Sequence, residues 1–336
     1  MDLTPLQWFW ILALSFSLLV YLVLDGFDLG IGILFGTTRN EAWRNTMMQT
    51  IAPVWDGNET WLLAAGAGLY AAFPIAYAIF FSALYLPVVL MLCGLVFRGV
   101  AFEFRVRATR HRKLWDRGFF LGSLIVALVQ GAAVGALIEE LAVEQGQFVG
   151  GPLAWLSPFA VACGVGLVMG YTLHGACWLV VKTRGELREW ARRRIPWLAG
   201  AVVAILLVLF AWVQVAALDV AERWWEPTWR WIFPALGTLA VVWLARGVRR
   251  RHDLAPFSGS CLLFFAAYAS LLTSFAPYMI PFSVTIREAA APETSLSFLF
   301  YGAGLFVLPV IMLYTIVVYR IFRGKVENGD GKIPPP

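Results

Sequence analysis

Charge is what this chain has least of. Only 14% of its 336 residues are Asp, Glu, Lys or Arg, against about 25% in soluble proteins, and no stretch requires a soluble domain to account for it. Cysteine is sparse too. Cys93, Cys163, Cys177 and Cys261 all lie in apolar runs with no Cys-x-x-Cys pair, so small buried hydrophobes are expected rather than disulfides or a thiolate metal site. Of three histidines, His111 and His252 stand in basic loops and only His174 lies in an apolar run. There is no Gly-rich phosphate loop, no Ser/His/Asp set and no Cys/His metal spacing, so the chemistry those patterns carry has no residues here. A basic n-region is also missing. Met1-Asp2 leads almost directly into apolar sequence, and no signal peptide is expected.

What the chain does have is apolar length. Hydrophobic residues make up 60% of it and its mean hydropathy is +0.74. A bilayer core about 30 Å thick needs roughly 20 apolar residues per helix. Nine segments meet that need: 8–35, 54–73, 75–99, 117–139, 155–181, 197–217, 229–246, 257–280 and 297–321. The second is the weakest, because Asp56 and Glu59 fall in its first turns, and Pro74 marks a tight link to the third. The expected fold is all-α, a polytopic membrane helical bundle with nine transmembrane helices. Residues 1–325 form one transmembrane domain, and 326–336, ending in three prolines, are expected to be a disordered tail.

The basic residues orient these spans. Of 26 Lys and Arg, 23 follow the first, third, fifth, seventh and ninth segments; only Arg223, Arg230 and Arg287 fall on the other side. The positive-inside rule then predicts an external amino terminus and a cytoplasmic carboxyl terminus. Basic loops facing anionic lipid also explain the pI near 9.1 without a nucleic-acid partner. Tryptophans near the span ends, such as Trp8, Trp115, Trp155 and Trp197, fit an interfacial belt. Gly170-Tyr171-Thr172-Leu173-His174-Gly175 late in span five faintly echoes Gly26-Phe27-Asp28-Leu29-Gly30 late in span one. Two four-helix bundles plus one peripheral helix would follow from that echo.

Against this apolar background two runs stand out, Asp25-Gly26-Phe27-Asp28-Leu29-Gly30-Ile31-Gly32 and Pro53-Val54-Trp55-Asp56-Gly57-Asn58-Glu59-Thr60-Trp61. They place four carboxylates in membrane-embedded sequence, where each unpaired acid costs roughly 2.5–3.5 kcal/mol. At i, i+3 spacing Asp25 and Asp28 share a helix face, about 16 and 12 Å from the inner end of span one. Gly26, Gly30, Gly32 and Gly36 form small-xxx-small patterns that admit a close neighbouring helix. Arg98, expected at the inner end of span three, is the evident counter-charge, although a snorkelling interfacial arginine reads the same. Asp56 and Glu59 have two readings. They fit a capping box at the start of span two, and they also fit an acidic cluster whose crowding favours held protons. Asp25 and Asp28, inside a helix, point to function or to a buried interface. His174 reads as a hydrogen-bonded packing residue or as one haem ligand.

The same residues carry a resemblance. Asp25-Gly26-Phe27-Asp28-Leu29-Gly30, then Ile51 through Leu62 with Trp55-Asp56-Gly57-Asn58-Glu59, and Phe73-Pro74, Phe97-Arg98 and Trp115-Asp116 closely resemble subunit II of the cytochrome bd-type quinol oxidases, including the cyanide-insensitive branch. The resemblance implies a haem-free subunit of a bacterial inner-membrane complex that oxidises quinol and reduces O2 to water. In that complex subunit I holds two b-type haems, one d-type haem and the quinol site. It implies no cofactor bound by this chain itself, leaves room for a structural quinone, and allows a small single-span accessory subunit. By position, Asp28, Asp56 and Arg98 match residues implicated in a proton route or in keeping the haem site intact. Asp25 and Trp55 match neighbouring motif positions, and Glu59 matches one that is not always acidic. Two other readings stand beside it: a proton-coupled secondary transporter and a purely scaffolding membrane subunit.

Overall fold

The computed structural model describes residues 3–326 except 109 and 226. The tail expected beyond Val326 lies outside the described residues. Helix α1 (Pro5–Gly36) opens on a capping box, with Thr4 accepting from the Gln7 amide and Gln7 reaching back. Next come α2 (Glu41–Ile51), α3 (Trp55–Ala72), α4 (Pro74–Ala83), α5 (Tyr85–Arg107) and α6 (Arg112–Ile138). A short hairpin, β1 (Val143–Glu144) and β2 (Gln147–Phe148), leads to α7 (Pro158–Lys182), α8 (Gly185–Val215) and α9 (Asp219–Trp225). After a single 3-10 turn run α10 (Ile232–Arg249), α11 (Leu254–Phe275) and a second hairpin, β3 (Tyr278–Ile280) and β4 (Val284–Thr285). The chain closes with α12 (Ile286–Ala289), α13 (Glu293–Leu299), a π-helical stretch and α14 (Leu308–Ile321).

Among the described residues eight helical segments are long and apolar enough to cross a bilayer, and α3 with α4, bent by 120° between them, qualify as a ninth. The expected 75–99 span is divided. Pro87 has no N–H to donate to the Ala83 carbonyl, and its ring crowds that carbonyl; the helix breaks at Leu84 and restarts at Tyr85. Helix α4 packs against the two hairpins and α12, and the crossing helix is α5. It runs on to Arg107, so Arg98 is an interior residue rather than a terminal one. The expected 257–280 segment stops being helical at Phe275 because Pro277 disfavours helical backbone at the residue before it. Helix α8 starts at Gly185, twelve residues before the expected boundary, so most of the basic 182–194 stretch is helical.

The packing follows two groups of four. Helix α1 touches α3 and α6, and α5 touches α6; α7 touches α8 and α11, and α10 touches α8 and α11. The groups meet where α7 packs on α1 and α6, while α14 lies against α3. The centre of that junction is the crossing of α1 and α7. A Cβ on Gly30 would stand 1.8 Å from the Tyr171 carbonyl oxygen, and one on Gly175 would stand 2.6 Å from the Gly30 carbonyl carbon. Only hydrogen fits at either position, and the backbones touch. The two sequence stretches that echo each other are therefore the two that cross. Gly32 and Gly36 face α6 instead.

Candidate functional site

The buried charges assemble from three helices at the arginine-rich end of the first group, and a fourth adds a tyrosine hydroxyl. Asp25 and Asp28 on α1 are fully buried, and Arg98 on α5 is 1% exposed. Arg98 reaches this depth because α5 lies close on α6; a Cβ at Gly122 would stand 3.1 Å from the Arg98 backbone nitrogen. Its Nη2 donates to Asp25 Oδ1 at 2.8 Å and lies 3.4 Å from Glu59 Oε1 on α3. Among the described residues no cation is in contact with Asp28. Its Oδ2 accepts from Asn58 Nδ2 at 2.7 Å, and the same amide also donates to the Leu24 carbonyl at 3.2 Å. Asn58 Oδ1 in turn accepts from the Tyr319 hydroxyl of α14 at 3.0 Å. Asp25 and Glu59 thus share one guanidinium while Asp28 rests on an amide, and Asp25 Oδ2 and Asp28 Oδ1 are buried with no hydrogen-bond partner among the described residues. Charges this far from water are tolerated only when paired or when a proton is shared.

Asp56 is separate. It occupies the first turn of α3 with its side chain on the exposed surface, in electrostatic reach of Glu103 and Arg98. The capping-box reading does not hold: the α3 N-cap is Val54, with no side-chain capping bond, and Glu59 turns to Arg98 instead. The reason is the pull of a buried guanidinium, which outweighs a solvated backbone cap. Trp55 packs its ring 5.2 Å from Phe102. Gly26 lies under Tyr171, where a Cβ would stand 2.6 Å from Cε1, and Gly30 forms the crossing already described.

Several participants escaped the sequence reading. Tyr319 stands 261 residues from its partner Asn58, and nothing local marks it. One helical turn from Asp25, Tyr21 accepts from Gln130 Nε2 at 2.5 Å, and the Tyr171 hydroxyl donates to Gln130 Oε1 at 3.0 Å; a lone glutamine in an apolar span was the available signal. Helix α2 carries a second network. Arg105, 1% exposed, donates to Asp116 Oδ1 at 2.5 Å, Asn45 Oδ1 at 2.7 Å and Glu41 Oε2 at 2.9 Å, and Arg44 bonds Asp116 Oδ2 at 2.9 Å. Arg44 and Arg105 both stand 4.9 Å from the Phe35 ring. Asp116, part of the Trp115-Asp116 motif, is the hub of this clamp.

His174 is fully buried on α7. Its Nδ1 hydrogen-bonds Ser260 Oγ at 2.7 Å, its Nε2 donates to the Val23 carbonyl at 2.9 Å, and its ring stacks on Phe257 at 4.9 Å. Both nitrogens are engaged, so neither lone pair fits an iron, and the packing reading is the one the geometry supports. Among the described residues no three His, Cys, Asp or Glu side chains converge on a metal position.

The family model described as cytochrome bd terminal oxidase subunit II matches residues 6–322. The chain belongs to that family. It is 30% identical to a probable cytochrome oxidase subunit 2 of Haemophilus influenzae, over 97% of this chain and 96% of that one. It is also 30% identical to the cytochrome bd-I ubiquinol oxidase subunit 2 of Escherichia coli, over 98% and 97%. The cytochrome bd ubiquinol oxidase subunit 2 of Bacillus subtilis shares 28%, over 96% and 97%. Among solved structures, the bd oxidase of Geobacillus thermodenitrificans superposes with a TM-score of 0.74 at 19% identity, covering 95% of this chain and 99% of that one; this likeness speaks for the fold. The subunit II family is the one that the Asp25–Gly30 and Trp55–Trp61 motifs led us to expect.

Proposed function

We propose that this chain is the subunit II of a bd-type quinol oxidase that pairs with a haem-bearing subunit I and contributes to proton entry for O2 reduction. In this reading the arginine-rich end faces the cytoplasm of a bacterial inner membrane, the amino terminus lies outside, and subunit I holds the two b-type haems and the d-type haem. Family membership and relatives named as ubiquinol oxidase subunits support the assignment. Asp25, Asp28 and Glu59 around a single Arg98 carry the proton part of the reading. More carboxyl groups than cations in a desolvated place form a site where a proton is held or handed on. Asp56, exposed beside this cluster, is its link to the partner. The transporter reading loses its support, because the relatives are oxidase subunits.

The test separates proton entry from scaffolding. Asp28→Asn and Asp56→Asn complexes are purified, and quinol oxidase turnover is measured per haem. The proposal expects turnover to fall about tenfold or more, in line with loss of a positioned proton-transfer group, at full haem content. Normal turnover per haem with a reduced yield of assembled complex would instead leave these acids only a scaffolding role.

A further inference from the structure

At the arginine-rich end, far along the chain from the acidic cluster, α8, α10 and α11 enclose a cleft of about 500 Å³ lined by Arg188, Trp243, Arg251, His252, Leu254 and Ser258. Its charge is unbalanced. Asp253 receives Arg188 at 3.0 Å, Arg192 at 2.8 Å and Lys325 at 2.8 Å, while Glu189 is shared by Arg193 at 3.6 Å and Arg251 at 3.8 Å. This network of five cations on two carboxylates carries an excess of three positive charges, and Arg188, Arg251 and Asp253 are the members that line the cleft. Arg192 lies behind the lining, bonded to Asp253, and is 4% exposed. The first turn of the 22-residue α11 also lines the cleft, and its N–H groups have no capping side chain because Asp253 is occupied by the cations. The Arg188 and Arg251 guanidiniums in the lining and an uncapped helix amino terminus beside them together call for an anion. The rim is apolar: Trp243 is 51% exposed and Leu254 is 68% exposed.

We propose that this cleft binds the phosphodiester of an anionic glycerophospholipid, with an acyl chain lying along Trp243 and Leu254. The combination selects the occupant. A free phosphate has no use for the apolar rim, and a zwitterionic lipid brings an ammonium into a site that already holds surplus positive charge. The ligand screens Arg188 and Arg251 and stiffens the junction of α8, α10 and α11.

Native mass spectrometry of the detergent-purified oxidase complex tests this. Dioleoyl-phosphatidylglycerol is titrated into delipidated complex, with dioleoyl-phosphatidylcholine and inorganic phosphate as separate probes. The wild type is expected to retain one tight phosphatidylglycerol adduct that the R188Q/R251Q variant holds about a hundredfold more weakly, the loss of two charge-assisted contacts at about tenfold each, with quinol oxidase turnover unchanged. Equal retention of phosphatidylcholine, displacement of the lipid by millimolar inorganic phosphate, or an unchanged adduct in R188Q/R251Q would each overturn the proposal. If R188Q/R251Q fails to assemble, R251Q alone and W243A decide. Both leave the Asp253 pairs intact, and undiminished phosphatidylglycerol retention in both rejects the site.

Discussion

Arg98 is the side chain on which the acidic cluster depends. Among the described residues it is the one cation in contact with Asp25 and Glu59, and removing one partner of a buried pair costs about 3–5 kcal/mol because the other charge is left behind. Arg98→Gln is therefore expected to lower the thermal unfolding midpoint and the yield of the complex. Adding Asp25→Asn to it should restore part of both, and a double variant no better than the single would refute the pairing. Asn58 is the second hinge of the cluster. Asn58→Ala strips a donor from Asp28 and an acceptor from Tyr319, for an expected loss of about 1–3 kcal/mol, read by thermal melting. Asp25, Asp28, Glu59 and Arg98 were legible as a group because acids in apolar sequence are conspicuous. Tyr319 was not, since a tyrosine near the end of an apolar helix is ordinary until its partner is known. Of the two readings open for Asp56 and Glu59 the capping one failed, because the local pattern Asp-x-x-Glu carries no information about an arginine on another helix.

Helix ends were harder to read than helices. The apolar runs identified the crossing segments, but a break such as the one at Leu84 needs attention to Pro87, and the register of α5 then shifts Arg98 from the edge to the interior. Helix α2 was hidden for a different reason: it buries Met47, Met48 and Ile51 under a charged surface and is too short and polar to show as a span. Two junctions between elements respond to pH. At the arginine-rich end burial pushes the Asp253 carboxyl up, but Lys325 and Arg188 outweigh this and hold it below its ordinary value. The stability it contributes is present above the unfolded carboxylate range near 3.8 and is lost as the pH falls through its lower folded value. At the other end Glu140 is pushed up to about 6 by burial and by neighbouring Asp219. Here the sign reverses. The folded state favours the proton, so the docking of α9 weakens as the pH rises from about 4.5 to about 6. Glu140→Gln should flatten the fall in melting temperature across that window; an identical pH profile would show that Glu140 does not report on this contact.

Across the whole molecule the same chain-end residues tie distant parts together. Lys325 bonds the carbonyls of Val180 and Thr183 as well as Asp253, and Lys182 bonds the carbonyls of Phe322 and Gly324. Helix α14, packed on α3 of the first group, is thereby fastened to the second. Lys325→Ala is expected to speed amide hydrogen exchange in 308–321 while leaving the buried half of α1 protected; equal acceleration in both would mean global destabilisation. The junction at α1 and α7 allows a sharper comparison. Gly30→Ala places a methyl against the Tyr171 backbone, whereas Gly66→Ala meets nothing within 4 Å. The first should prevent accumulation of folded protein, and the second should be neutral or stabilising by up to about 1 kcal/mol.

That point of contact also limits how the molecule moves. At the crossing the main chains touch around Gly30 and Gly175, and on its flanks Phe27 stacks on Trp178 at 4.1 Å and His174 donates to the Val23 carbonyl at 2.9 Å, so sliding of one half past the other is blocked.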